Sequence, residues 1–413
     1  MSKKSISELL HVPFEHPDAY HALTMPVYDT VAFEFDTAEE MEDAFCGRTA
    51  GHTYSRITNP TVSYLEKRIQ TLQGSLSVTA LSSGMAAISC TFLSIAKAGT
   101  NIVTSRHLFG NTYSLLKNTL GDLGVETRFC DLTNPEEVRQ AIDKNTCAIF
   151  LEIITNPQLE VADLSVLSAI GKETGVPLIA DTTIVPFTLS HAKEAGVDIE
   201  ILSSTKYLSG GGTSLGGIII DYGTFDWKKS PKLAPLAEKF GTASFTNKLR
   251  TEIHRNFGSY MTPHAAYMQT LGLETMQLRF ERQAATCLEL AERLQQTPGI
   301  QSVNYTGLKD NPFYELSLRQ FGKYPGAMLT FDLASREACF SLLNHLKLFC
   351  RSTNLFENKS LAIHPASTIF GTFTKEQRKE INVQENTIRL SIGLENGEDL
   401  YDDLVQALSH TGD

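Results

Sequence analysis

Lys206 stands in Ser203-Ser204-Thr205-Lys206-Tyr207-Leu208-Ser209-Gly210-Gly211-Gly212, directly after the largely apolar run Val197 to Leu202. Upstream, Asp181 closes a second such run, Val176-Pro177-Leu178-Ile179-Ala180. A lysine at the mouth of a sheet can form a Schiff base with an aldehyde cofactor. Neighbouring hydroxyls and glycine N–H groups can hold a phosphate, and an aspartate can keep a pyridine nitrogen protonated so that the ring accepts electrons. Together these are the requirements of pyridoxal phosphate (PLP) chemistry. Taken singly, Asp181 and Lys206 also read as a loop aspartate and a surface lysine.

Three further segments bear on the same chemistry. Ser82-Ser83-Gly84-Met85 falls between a strand and a helix, where free N–H groups and the helix dipole suit a phosphate; it reads equally as a plain turn. Asn156-Pro157 follows a strand, and its carboxamide is placed either for turn chemistry or to meet a cofactor oxygen. Arg389 interrupts the apolar strand Ile388-Arg389-Leu390-Ser391-Ile392. An inward arginine needs a partner, either a substrate carboxylate or a structural ion pair. The glycines at 210–212 lack the Gly-Lys-Ser/Thr ending of a nucleotide loop, which disfavours nucleotide hydrolysis.

The elements that must position these residues follow from periodicity. Asn59-Pro60 reads as a helix start, Val62, Leu65, Ile69 and Leu72 share one face, and Gly74 stops it. Strands are expected at 77–81, 101–104, 126–130, 148–153, 178–181, 199–202 and 217–220, most of them separated by helical stretches. Apolar strands alternating with helices imply an α/β fold with a mostly parallel sheet covered on both faces. Its ligands belong at the carboxyl ends of the strands. A long helix is expected over 263–296. Strands around 301–305, 327–331 and 387–392 and a final helix from Gly397 then suggest a smaller α+β domain. The expected division is an irregular arm, 1–58, broken by Pro13, Pro17 and Pro26 and holding one short helix near 36–45; a large domain, 59–257; and a C-terminal domain, 258–413.

Composition excludes other classes. The 413 residues carry a formal net charge of −11 and no long basic run, which argues against nucleic acid or an anionic membrane as partner. The seven cysteines are scattered with no C-x-x-C, so buried reduced thiols are expected rather than disulfides or a metal site. Met1-Ser2-Lys3-Lys4-Ser5 leads into no sustained apolar stretch, so a cytoplasmic protein is expected.

The chain resembles the Cys/Met-metabolism, or trans-sulfuration, PLP-dependent enzymes over nearly its whole length. The matching motifs are Tyr54-Ser55-Arg56-x-x-Asn59-Pro60-Thr61, Ser83-Gly84-Met85-x-Ala87, Asp181-Thr182-Thr183, Ser203-x-Thr205-Lys206-Tyr207-Leu208, His364-Pro365-Ala366-Ser367 and Arg389-Leu390-Ser391-x-Gly393-Leu394-Glu395. The resemblance implies PLP fold type I, with Lys206 as Schiff-base lysine and proton shuttle. It implies Asp181 as pyridinium partner and Asn156 as ligand of the ring hydroxyl oxygen. Gly84, Met85, Ser203 and Thr205 would form the phosphate cup. Tyr54 and Arg56 would be lent to a neighbouring subunit in a homotetramer, and Arg389 and Asn354 would bind the substrate carboxylate.

Within the family, Gly223-x-Phe225-Asp226-Trp227, Gly272-Leu273-Glu274-Thr275 and the segment from Asn354 to Thr368 resemble the branch that sulfhydrylates O-acetylhomoserine. That implies an amino-acid substrate and a sulfide donor, which a protein sulfur carrier would be able to supply. Cystathionine synthesis, methionine γ-elimination and, from a different class, a non-catalytic PLP-binding regulator are the alternatives. Asn111 stands where γ-lyases often carry a cysteine, which disfavours elimination. Two departures matter: Phe109 replaces the family's usual stacking tyrosine, so any hydroxyl chemistry would fall to Tyr54 or Tyr113, and Gly211 replaces a common histidine.

Overall fold

The structure is a computed structural model describing residues 6–14 and 18–411. Pro17 and the Met1–Ser5 segment lie outside the described residues. Seven apolar runs pair into one sheet: β1 (Ser77–Leu81), β2 (Asn101–Thr104), β3 (Glu126–Phe129), β4 (Thr146–Glu152), β5 (Leu178–Asp181), β6 (Ile199–Leu202) and β7 (Gly217–Asp221), in the order β1-β7-β6-β5-β4-β2-β3. Only β7 runs against its neighbours, β1 and β6. Successive side chains point to opposite faces, and both faces are packed. Ile149, Leu151, Leu178, Ala180, Ile218 and Ile220 enter one apolar cluster, while Ala148, Phe150, Ile179 and Ile219 enter the other. Burial on both sides explains why these strands read as continuous apolar runs.

The helices start and stop where local chemistry dictates. In Pro60–Gln73 the Asn59 side chain accepts from Thr61 N–H at 2.9 Å, and Gly74 ends the helix at φ 56°. Asn59 Nδ2 also donates to the Tyr28 carbonyl and to Ser55 Oγ, which ties the preceding segment to this helix. The long helix Pro263–Leu294, capped by Thr262, leads to a second sheet. That sheet is antiparallel, with β8 (Ser302–Asn304), β9 (Met328–Asp332), β10 (Leu361–Ile363) and β11 (Thr387–Ser391) in the order β10-β11-β9-β8.

The first 58 residues are less uniform than the sequence suggests. A short helix, Ile6–Leu10, docks on its own chain: Leu9 and Val12 are buried, and Arg68 Nε donates to the Leu9 carbonyl. Beyond it, apart from the helix Ala38–Phe45, the described residues of this segment are irregular, with Tyr20 and Leu23 almost fully exposed. The seven thiols are unpaired, but Cys46 and Cys350 are exposed rather than buried. Among the described residues no helix is long and apolar enough to cross a membrane, and no His, Cys, Asp or Glu cluster is arranged for a metal.

Candidate active site

A cavity of about 670 Å³ opens at the carboxyl ends of the large sheet's parallel strands. Strand and helix ends deliver several of its lining residues. Gly84 and Met85 begin the helix after β1, Glu152 and Asp181 end β4 and β5, and Ser203, Thr205 and Lys206 follow β6. Arg389 comes from β11 of the second sheet, and Asn354 comes from the segment before β10.

Lys206 Nζ donates to Asn354 Oδ1 at 2.5 Å. Burial and then the Arg389 charge pull the Lys206 amine down to about 8, opposed by Glu357 and Asp181. Its neutral, nucleophilic form is therefore accessible near neutral pH. Asp181 Oδ1 accepts the Thr183 N–H at 2.9 Å. Burial pushes its carboxyl up, while the Thr183 donors and Lys206 pull it back.

Glu152, which the sequence reading missed, pairs in register with Asp181 across β4 and β5. It is buried, and burial followed by the Asp181 charge holds its carboxyl well above the usual range. Its Oε1 accepts the Phe109 N–H at 2.6 Å, which fixes the backbone of the ring that lines the cavity wall. A glutamate inside Phe150-Leu151-Glu152-Ile153-Ile154 carries the same signal that singled out Arg389.

Arg389 is 2% exposed. Its guanidinium donates to Asn156 Oδ1 at 3.0 Å and to the carbonyls of Thr353 and Asn354 at 3.3 and 3.4 Å, while Nε has no partner. Among the described residues no carboxylate forms an ion pair with it, and burial lowers its proton affinity to about 9. A buried cation held only by neutral oxygens leaves a strong site for an anion at the cavity. Because Asn156 spends its oxygen on Arg389, its amide nitrogen is left as the donor.

Asn354 is placed beside Lys206, and its backbone carbonyl accepts from Arg389. Its Nδ2 donates to Glu357 Oε1 at 2.6 Å, so its oxygen faces the lysine. Thr205 lines the cavity, but its hydroxyl is engaged with Gly216, donating to the carbonyl and accepting the N–H. Gly84 is needed sterically, since a Cβ there would stand 2.7 Å from the Ser203 Cβ.

Three candidates lie elsewhere in the chain. The Tyr113 ring stacks on Phe129 at 5.0 Å and its hydroxyl accepts from Lys117, away from the cavity lining. Phe109 immediately precedes the helix Gly110–Ser114, at ψ 135°. Tyr54 is exposed, and Arg56 stacks over it with its guanidinium 5.4 Å from the ring centre while donating to the Arg255 carbonyl. Neither reaches this chain's own Lys206 cavity.

The model of the Cys/Met metabolism PLP-dependent enzymes matches residues 7–409. The chain belongs to that family. An O-acetyl-L-homoserine sulfhydrylase of Corynebacterium glutamicum is 35% identical, over 93% of this chain and 92% of its own. A Campylobacter jejuni O-acetylhomoserine (thiol)-lyase structure, carrying a pyridoxyl-phosphate lysine, superposes with a TM-score of 0.92 at 30% identity, covering 98% of this chain and 99% of its own. An O-acetylhomoserine sulfhydrylase of Wolinella succinogenes is 46% identical with a TM-score of 0.76, covering 86% of this chain and 98% of its own.

The cavity's donor set fits the family's cofactor. A helix N-terminus with the close Gly84–Ser203 approach suits a phosphate. Asp181 suits a pyridinium, the Phe109 ring a flat aromatic face, and Lys206 an aldehyde. The titratable groups among the described lining residues are Glu152, Asp181, Lys206 and Arg389. The only lining cations are thus Lys206 and Arg389, and the phosphate end has neutral donors from this chain alone.

Proposed function

We propose that this PLP-dependent enzyme converts O-acetyl-L-homoserine and a sulfide donor into L-homocysteine and acetate by γ-replacement, a step of methionine biosynthesis. The observation that carries the reading is Arg389, a buried guanidinium without an acidic partner that opens on the same cavity as Lys206. It meets the need of an α-amino acid for a carboxylate clamp beside the group that works at Cα.

The bound cofactor supplies an electron sink that acidifies the substrate's Cα–H and then Cβ–H. Arg389 grips the carboxylate and so orients Cα toward Lys206. Lys206 Nζ would take the Cα proton; loss of a Cβ proton would expel the γ-acetoxy group as acetate, and sulfide would add at Cγ as protons return to Cβ and Cα. Asp181 would hold the ring nitrogen's proton, beside Glu152, whose carboxyl burial and the Asp181 charge push up. Gly84, Met85, Ser203 and Thr205 would hold the phosphate, and Asn156 would offer its amide nitrogen to the ring oxygen.

Arg56 and Tyr54 complete the phosphate site of a neighbouring subunit within a homotetramer. The missing cation at this chain's phosphate end supports that reading. Residues 1–58 are then the arm, 59–257 the cofactor-binding domain and 258–413 the C-terminal domain of a cytoplasmic enzyme. A protein sulfur carrier is compatible with the same chemistry as free sulfide.

Product analysis tests the reading. O-acetyl-, O-succinyl- and O-phosphohomoserine are each offered with sulfide, with cysteine or with neither. Homocysteine formed fastest from the acetyl ester and sulfide is the expected result. Predominant cystathionine, or a 2-oxo acid with ammonia, would replace it with the synthase or lyase reading. Absence of all turnover would leave a PLP-binding regulator.

A further inference from the structure

Gly210, Gly211 and Gly212, which follow Lys206 closely, all have positive φ, at 83°, 123° and 72°. A Cβ on Gly211 would stand 2.4 Å from Asn358 Nδ2, and one on Gly212 would stand 2.6 Å from Glu357 Oε1. The space that side chains would take is filled by the segment carrying Asn354, Phe356, Glu357 and Asn358. That segment is itself braced. Phe356 sits at φ 57°, a left-handed conformation that bulky side chains rarely adopt. It is held there by full burial, by stacking on Tyr207 with ring centres 4.0 Å apart, and by its N–H on Ser391 Oγ at 2.7 Å. Gln283 Nε2 anchors the Glu357 carbonyl at 2.6 Å.

The result is a short relay. Glu357 Oε1 accepts from Asn354 Nδ2 at 2.6 Å, and Asn354 Oδ1 accepts from Lys206 Nζ at 2.5 Å. A carboxylate only accepts, so Asn354 must turn its NH₂ toward Glu357 and its oxygen toward the lysine. We propose that Glu357 is a positioning residue for Lys206: acting through Asn354, it decides which end of that carboxamide faces the cavity and holds the lysine ammonium there. This rests on the reading of Lys206 as the cofactor lysine.

The charged groups facing Lys206 are Arg389 from β11, Asp181 from β5 and Glu357 from this segment. Burial and Arg389 lower the lysine's proton affinity, and Glu357, ahead of Asp181, raises it. Removing the Glu357 charge therefore moves the lysine's titration downward. Glutamine at 357 keeps the volume but loses the charge and the acceptor-only character. Aspartate keeps both on a shorter stem.

The experiment is the rate at which cofactor-free enzyme recombines with pyridoxal phosphate, followed by the growth of visible absorbance across a pH range centred near 8. The rate tracks the unprotonated Lys206 amine and does not depend on turnover. Glu357→Gln should lower the midpoint by on the order of half a pH unit, about threefold in rate on its acid side. Glu357→Asp should recover most of that shift. In an Asn354→Ala background the Gln shift should be smaller, and what remains should be the direct effect of the Glu357 charge on the lysine. An unmoved midpoint in Glu357→Gln would reduce Glu357 to a packing role and overturn the proposal. A full shift without Asn354 would overturn the relay. If Lys206→Ala still forms the visible band, the reading of Lys206 fails, whatever Glu357 does.

Discussion

Replacing Arg389 by lysine tests the carboxylate clamp on which the functional reading depends. The guanidinium spreads its donors over Asn156 Oδ1, the Thr353 and Asn354 carbonyls and an unpartnered Nε. An ammonium is a point donor and cannot reproduce a planar two-point grip. Losing one of two charge-assisted bonds costs about 2 kcal/mol, or roughly thirtyfold in kcat/KM. Because the group is lost from both bound substrate and transition state, most of the loss should fall on KM. The measurement is steady-state kinetics with O-acetylhomoserine varied at saturating sulfide, alongside cofactor affinity. Cofactor binding should be nearly unchanged, because Asp181, Phe109 and the Gly84 end of the cavity are untouched. A KM for the amino acid within about twofold of wild type would remove Arg389 from the substrate site and refute the clamp.

Lys206→Ala should fold, yet lose both the visible absorbance of lysine-bound cofactor and essentially all turnover; a near-normal rate with a reducible bond at another lysine would reject the assignment. Glu200 is fully buried, takes hydrogen bonds from Ser190 and Tyr222, and is raised by burial to about 7. Its folded value lies above the ordinary 4.5 of a glutamate, so its contribution is complete below about pH 4.5 and is lost as pH rises through 7, roughly 3 kcal/mol in all. Glu200→Gln should therefore gain thermal stability relative to wild type as pH rises from acid to alkaline, and a pH-independent difference in Tm would contradict this. Mixing inactive Arg56→Ala with inactive Lys206→Ala and allowing subunits to exchange should restore activity if each site is shared; no recovery after demonstrated exchange would assign Arg56 to its own chain.

What was legible in the sequence, and what was not, divides along a physical line. Asp181, Lys206 and Arg389 stand out because each is a charge set in or against a strand that must be buried on both faces, where a charge needs a reason. The sheet's strands were legible for the same cause. The antiparallel direction of β7 was not, because Gly217-Ile218-Ile219-Ile220 is equally apolar read either way. β10 has only three residues and carries too little periodicity to register. Tyr113 was named through the family resemblance alone, and its ring packs on Phe129 outside the cavity lining. Glu357 was beyond reach altogether. Asn354 stood out only through the family resemblance, nothing in Leu355-Phe356-Glu357 announces a function, and Gly210–Gly212 read as backbone N–H donors after the lysine. Their meaning appears only where the two segments cross and the missing glycine side chains admit a carboxylate. The cofactor's partners thus sit on elements whose own burial advertises them. The residues that aim those partners sit on loops, and only tertiary contact defines their role.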